Sequence, residues 1–470
     1  MKYVSTRGGI EPLEFQDAVM MGLADDGGLI VPRDIPNVSD CLDDWANMSY
    51  PQLAFEVIRL FATDIPDEDL RDLVDRSYIG VFDSDPEVAP ITPVGDRFVM
   101  ELWHGPTMSF KDVALQLLGN LFEYILAARG GKLNILAATS GDTGSAAICG
   151  VRGRKGINIF VMHPSGRVSP IQERQMTSVL DDNVHNIAID GSFDDCQRIM
   201  KTLAGDLEFK RTHSLGAVNS VNWARVLAQM VYYFRGVFEL RRLTGCDSIR
   251  VSVPTGNFGD ILAGWYAMQM GAPISQLVLA TNDNDILSRF FNSGGYSLGE
   301  VHHTPAPAMD IQVASNFERY LYHKVGEDPD RLRTLMEQFA RTGSLEIECD
   351  SPGAVDLSIE AGSASTDDIL AAIRTCWESN GYVIDPHTAC GYSVVGVMAP
   401  VGAAGPDDSE PTLCIATAHP AKFPGAIERA TGEDLAHHPE IDALGDLPTR
   451  CEEIGNDPQA VADFIVRTIS

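Results

Sequence analysis

Residues 133–138, Leu-Asn-Ile-Leu-Ala-Ala, form an almost unbroken apolar run. A strand covered on both faces reads this way, whereas a strand with one wet face alternates. Similar runs predict strands over 98–102, 158–162, 186–189, 248–253, 276–280 and 412–416. Between them apolar residues recur every three or four positions, which predicts helices over 111–128, 222–243 and 258–270. Alternating strands and helices imply an α/β fold, with parallel-rich sheets covered by helices. The first hundred residues read differently. Helical spacing dominates at 14–23, 50–61 and 67–78, with one short extended piece at 29–32 after Gly27-Gly28. Further helices are expected over 328–341 and 363–380, the second started by Ser365-Thr366-Asp367-Asp368. The Gly-, Ala-, Pro- and Asp-rich stretch 400–411 is expected to be a surface loop.

The chain has 470 residues, enough for about three domains at roughly 150 residues each. The pattern divides it into a mostly helical region (1–95), a first α/β part (96–245) and a second α/β part (246–470), with chain crossings between the parts. Lys and Arg total 35 against 66 Asp and Glu, a net charge of −31. That balance repels phosphate backbones and argues against a nucleic-acid partner. A small anionic substrate stays possible in a locally positive pocket. The nine cysteines contain no Cys-x-x-Cys pair, so reduced thiols in the cytoplasm are expected and no metal site is. Residues 1–7 lack the apolar core of a signal peptide, and no run of about 20 apolar residues suggests a membrane span. A monomer or weak homo-oligomer is expected.

Five stretches could carry chemistry. In Gly105-Pro106-Thr107-Met108-Ser109-Phe110-Lys111-Asp112, a turn places Lys111 at a helix start. The positive helix end disfavours an ammonium there, which suits an amine that attacks a carbonyl. Ser140-Gly141-Asp142-Thr143-Gly144 and Val253-Pro254-Thr255-Gly256-Asn257-Phe258-Gly259-Asp260 each join a strand to a helix and offer backbone N–H groups to an anion. Neither fits the Walker A or dinucleotide pattern. Asn219-Ser220-Val221-Asn222-Trp223-Ala224-Arg225 enters a helix with an arginine one turn inside it, placed to fork onto a phosphate. Ile415-Ala416-Thr417-Ala418-His419-Pro420-Ala421-Lys422 ends a strand in hydroxyl, imidazole and amine groups. One reactive amine and two anion-ready turns fit a phosphorylated aldehyde cofactor with a second anion beside it.

Together these stretches resemble threonine synthase, in its longer bacterial and fungal form. The likeness also includes Tyr3-Val4-Ser5-Thr6-Arg7-Gly8-Gly9 and Ala24-Asp25-Asp26-Gly27-Gly28-Leu29. It implies a pyridoxal-phosphate-dependent enzyme of fold type II, tryptophan synthase β-like, with an extra N-terminal region. It also implies the conversion of O-phospho-L-homoserine and water to L-threonine and phosphate, the last step of threonine biosynthesis. By this resemblance Lys111 is the Schiff-base lysine and the catalytic residue. Gly256, Asn257, Phe258, Gly259 and Asp260 hold the cofactor phosphate, and Thr417 approaches the pyridine nitrogen. Ser140, Thr143, Asn219, Ser220 and Arg225 bind substrate. Asp142 stands where shorter relatives carry Asn and is left out of the cofactor set. The base for the Cβ proton stays open among Lys111, His419 and His104. Competing readings are a serine/threonine dehydratase or O-phosphothreonine phospho-lyase on the same fold, or a non-catalytic binding protein that kept it.

Overall fold

The computed structural model describes residues 1–84, 86–139, 141–216, 220–397 and 410–469. In chain order the strands are β1 (Tyr3–Ser5), β2 (Ile30–Pro32), β3 (Ile91–Val94), β4 (Arg97–Glu101), β5 (Leu133–Ala138), β6 (Ile157–Pro164), β7 (Val184–Asp190), β8 (Leu215–Gly216), β9 (Ile249–Pro254), β10 (Ile274–Thr281), β11 (Gly295–Ser297), β12 (Ser344–Glu346), β13 (Ile359–Ser363), β14 (Thr412–Ala416) and β15 (Glu452–Gly455). Two sheets dominate. One has the order β13-β10-β9-β14-β4-β3, parallel except for the β3–β4 hairpin. The other is wholly parallel, in the order β15-β7-β6-β5-β8.

The apolar runs behave as their composition dictates. Every residue of β9 is buried, as are the first five of β5, because helices cover both faces. The helix Lys111–Arg129 lies buried along most of its length and stops at Gly130, whose left-handed φ of 65° lets its N–H reach the Leu126 carbonyl. Thr366–Asn380 starts with a capping box between Ser365 and Asp368, while Ser363 still belongs to β13. The sheets cross the chain divisions. β4 sits beside β14, and β15 extends the sheet built from β5–β8. The N-terminal region packs on this frame through helices Tyr50–Arg59 and Asp67–Tyr78. The loop expected at 400–411 lies outside the described residues except for its last two positions.

The topology gathers the five stretches. Thr255 to Phe258 follows β9, Gly141 follows β5, Thr417 follows β14, the Lys111 turn follows β4, and Ser220 to Asn222 follows β8. All sit beyond the carboxyl ends of parallel strands, where open α/β sheets bind ligands.

Candidate active site

Lys111 opens its helix and is only 9% exposed. Two backbone contacts fix its approach. The Phe110 N–H donates to the Thr417 carbonyl at 2.9 Å, and the His419 N–H to the Met108 carbonyl at 3.2 Å. Met108 holds a left-handed φ of 55°, a conformation costing a non-glycine residue on the order of 1–3 kcal/mol. The turn closes on Asp112, whose carboxylate accepts from the Thr107 N–H and hydroxyl, each at 2.8 Å. Burial pushes the Asp112 carboxyl up to about 6. Burial also lowers the Lys111 amine to about 8, with Lys422 and Arg225 adding to the effect and Asp142 opposing it. Desolvation, rather than the helix end alone, makes this lysine a ready nucleophile.

Asp142 lies 4.0 Å from the Lys111 amine through Oδ2. Its Oδ1 accepts from Lys422 at 2.7 Å and from Gln172 Nε2 at 2.8 Å. Burial alone would raise this carboxyl, yet Lys422 and Lys111 hold it well below the usual range. Lys422 is 1% exposed and also donates to the Thr107 carbonyl at 2.7 Å. Thus the strand-end stretch and the lysine turn share one buried cation. Thr417 is buried beside them. Thr143 follows Asp142 on the same helix start and is half-buried. Ser140 and Asn219 lie outside the described residues.

The turn after β9 exposes Asn257 and buries Phe258. Phe258 adopts a φ of 63°, and its ring stacks on Phe291 at 5.8 Å and meets Phe317 and Tyr320 edge-on. Its side chain therefore anchors the turn. A Cβ on Gly256 would come within 2.7 Å of the Ala308 carbonyl, so only glycine fits there. Asp260 accepts from both Tyr232 (Oδ1) and Tyr233 (Oδ1, 2.8 Å). Burial raises its carboxyl to about 6, against the two tyrosine hydrogen bonds and, more weakly, the Lys111 charge. Tyr232 and Tyr233 belong to the helix Trp223–Thr244, which Asn222 caps by accepting the Ala224 N–H at 3.0 Å. Arg225 stands one turn inside that helix, 5% exposed, lowered by burial to about 10 and still charged at neutral pH.

Arg225 Nη1 and Asp260 Oδ2 are buried and lack a hydrogen-bond partner among the described residues. An unpaired buried guanidinium N–H is costly unless an anion completes it. With a desolvated amine, an exposed Asn257 and a glycine turn at a helix start, the residues fit pyridoxal phosphate and a second anion. Sequence reasoning missed Gln172, and it named Lys422 only as the amine of a polar strand end. Lys422 lies far from Asp142 in the chain, and no local pattern announces such a pair. Of the two histidines, His104 is gripped by Asp83 at 2.6 Å and Glu101 at 2.8 Å. His419 is lowered to about 4 by burial and by His438 and His104, so it is neutral near pH 7.

The family model described as Threonine synthase N terminus matches residues 2–78. The model of pyridoxal-phosphate dependent enzymes matches 94–354, and that of Threonine synthase, C-terminal, matches 388–465. The threonine synthase of Schizosaccharomyces pombe is 44% identical over 463 residues, covering 92% of this chain and 89% of that protein. That of Pseudomonas aeruginosa is 43% identical, covering 99% of this chain and 98% of the other. The crystal structure of PLP-bound threonine synthase from Brucella melitensis superposes with a TM-score of 0.93 at 42% identity, covering 100% of this chain and 99% of that one.

Proposed function

The chain belongs to the threonine synthase family, and from that premise we propose how its residues divide the work. The activity is pyridoxal-phosphate-dependent conversion of O-phospho-L-homoserine and water to L-threonine and phosphate, by a carbon–oxygen lyase. Lys111 would hold the cofactor, the turn Gly256-Asn257-Phe258-Gly259-Asp260 its phosphate, and Thr417 its pyridine nitrogen. When bound, the cofactor supplies a sink for the electron pair left at Cα. Thr417 offers a neutral hydroxyl, not a charge, and so leaves that sink weaker than a carboxylate would.

The chain's own groups do the rest. Lys111, buried and easily deprotonated, is the base for the Cα proton. The Cβ proton must leave next, and the amine already in place is the economical base, because His104 is locked between two carboxylates. Phosphate leaves Cγ with its bonding pair, and Arg225 receives the charge. Ser140, Thr143, Asn219 and Ser220 complete the substrate contacts. Water adds at Cβ and the protons return, so substrate plus water balances threonine plus phosphate.

The observation that carries this reading is the buried Arg225 guanidinium with one unpartnered N–H, close enough to bias the Lys111 amine. Residues 1–95 would brace the site, 96–245 would bring Lys111 and the substrate turns, and 246–470 the cofactor-phosphate turn and Thr417. This division is one of chain segments, since both sheets cross it. We place the enzyme in the cytoplasm as a monomer or weak homo-oligomer without nucleic-acid partners, in keeping with nine free cysteines and a charge of −31. Among the described residues no helix is long and apolar enough to cross a membrane. The test is product analysis with O-phospho-L-homoserine. Equal release of phosphate and threonine is expected, and ammonia with a keto acid would mean a dehydratase.

A further inference from the structure

Ser315 and Asn316 lie outside every stretch singled out in the sequence, yet they join two of the anion-facing turns. Asn316 is fully buried. Its Nδ2 donates to the Ser220 carbonyl at 3.0 Å and to the Asn257 carbonyl at 3.2 Å. Its backbone N–H donates to the same Asn257 carbonyl at 3.0 Å. The amide cannot flip, because Oδ1 accepts from Arg319 Nη1. Arg319 is itself fully buried and donates to the Val221 carbonyl and, at 2.9 Å, to the Ile30 carbonyl. Ser315 repeats the bridge with its hydroxyl. Oγ donates to Asn257 Oδ1 at 3.0 Å and lies 2.6 Å from Ser220 Oγ. Since its one hydrogen points at Asn257, Ser220 is the donor in the second contact.

Ser315 and Asn316 thus bridge two segments that are far apart in sequence. A Cβ on Gly259 would come within 3.3 Å of Asn316 Nδ2, so the helix start leaves room for this amide and little more. A binding site works when its donors are held within about half an ångström of the productive geometry by a locked supporting shell. We infer that Ser315 and Asn316 are positioning residues that hold the Asn257 turn and the Ser220 turn at a fixed separation, so that the cofactor phosphate and the substrate phosphate bind as a matched pair. The inference rests on the assignment of those two turns made above.

Two equilibrium constants test it on the full-length protein: the Kd of the apoprotein for pyridoxal phosphate, and the Ki of inorganic phosphate against O-phospho-L-homoserine. Ser315→Ala is expected to raise both about 3- to 10-fold, the worth of one buried hydrogen bond, with the apoprotein's urea midpoint unchanged. Ser315→Thr, which keeps the hydroxyl, is expected to restore both. Asn316→Asp keeps the shape but turns the donor into an acceptor, and it should weaken both constants further. A change in one constant alone, in neither, or in both together with a lowered midpoint and no rescue by threonine overturns the inference. Arg225→Ala separates the two layers. If it leaves the phosphate Ki unchanged, the turn assignment itself falls and the inference with it. If that Ki depends on Arg225 but not on Ser315, only the clamp falls.

Discussion

Lys422 Nζ lies 2.7 Å from Asp142 Oδ1, with the lysine side chain fully buried and the aspartate nearly so. Burial alone would raise the Asp142 carboxyl, and the Lys422 and Lys111 charges hold it down. Gln172 donates to the same Asp142 oxygen, and the Thr107 carbonyl accepts from Lys422 as well. A buried ion pair of this kind gives modest net stability, but breaking it strands a charge. Lys422→Met is therefore expected to lower unfolding free energy by about 3–5 kcal/mol in urea titration. Lys422→Met with Asp142→Asn should recover much of that loss. Additive losses would show that the two groups do not couple.

Arg225 invites a different kind of measurement. Its Nη1 lacks a partner among the described residues, so if the substrate phosphate completes it as proposed, truncation should cost little in the empty protein and much in the loaded one. Arg225→Ala is expected to lower kcat/KM for O-phospho-L-homoserine about 10- to 100-fold, the worth of one or two charge-assisted hydrogen bonds. The visible absorbance of the holoprotein should persist. Equal loss of absorbance and of substrate affinity would assign Arg225 to the frame.

Thr417, proposed above to approach the pyridine nitrogen, would then bear on which reaction the bound cofactor favours. A carboxylate at that position would strengthen the electron sink by holding the pyridine nitrogen charged. Thr417→Asp is expected to raise the share of keto acid and ammonia among the products, measured at equal substrate turnover. An unchanged product ratio would mean that Thr417 does not steer the outcome.

The sequence disclosed most of the frame because the frame is written locally. The strands Leu133–Ala138 and Thr412–Ala416 fall where apolar runs end at polar turns, and Asp67–Tyr78 follows its helical spacing. What escaped has no local signature. The strand Glu452–Gly455 is charged and mostly exposed at a sheet edge, so no apolar alternation marks it. The helix Pro386–Val397 is buried nearly all round and carries Asp385, His387 and Thr388 at its start, which hides its period. Within the candidate site, Lys111, Arg225 and the Asn257 turn could be singled out as residue types at helix starts. The Lys422–Asp142 pair and the Asn316 bridge are tertiary facts, visible only once distant strands are laid side by side.

The lowered amine of Lys111 has a pH signature of its own. Only the free amine attacks a carbonyl, and the amine is free above its pKa. An ordinary lysine near 10.4 would keep gaining reactivity throughout the alkaline range. Lys111, lowered to about 8 chiefly by burial, should stop gaining there. Loading of the apoprotein with pyridoxal phosphate, followed by absorbance, is expected to accelerate about tenfold from pH 6 to pH 7 and level off above about pH 8. Lys111→Ala should show no such band at any pH and lose activity by about 10³-fold or more. The neighbours set the sign of the next shift. Asp142 favours the ammonium, so Asp142→Asn should move the break below pH 8, provided Lys422 stays in place. A rate that climbs steadily past pH 9 in the parent protein would show that burial does not tune this lysine.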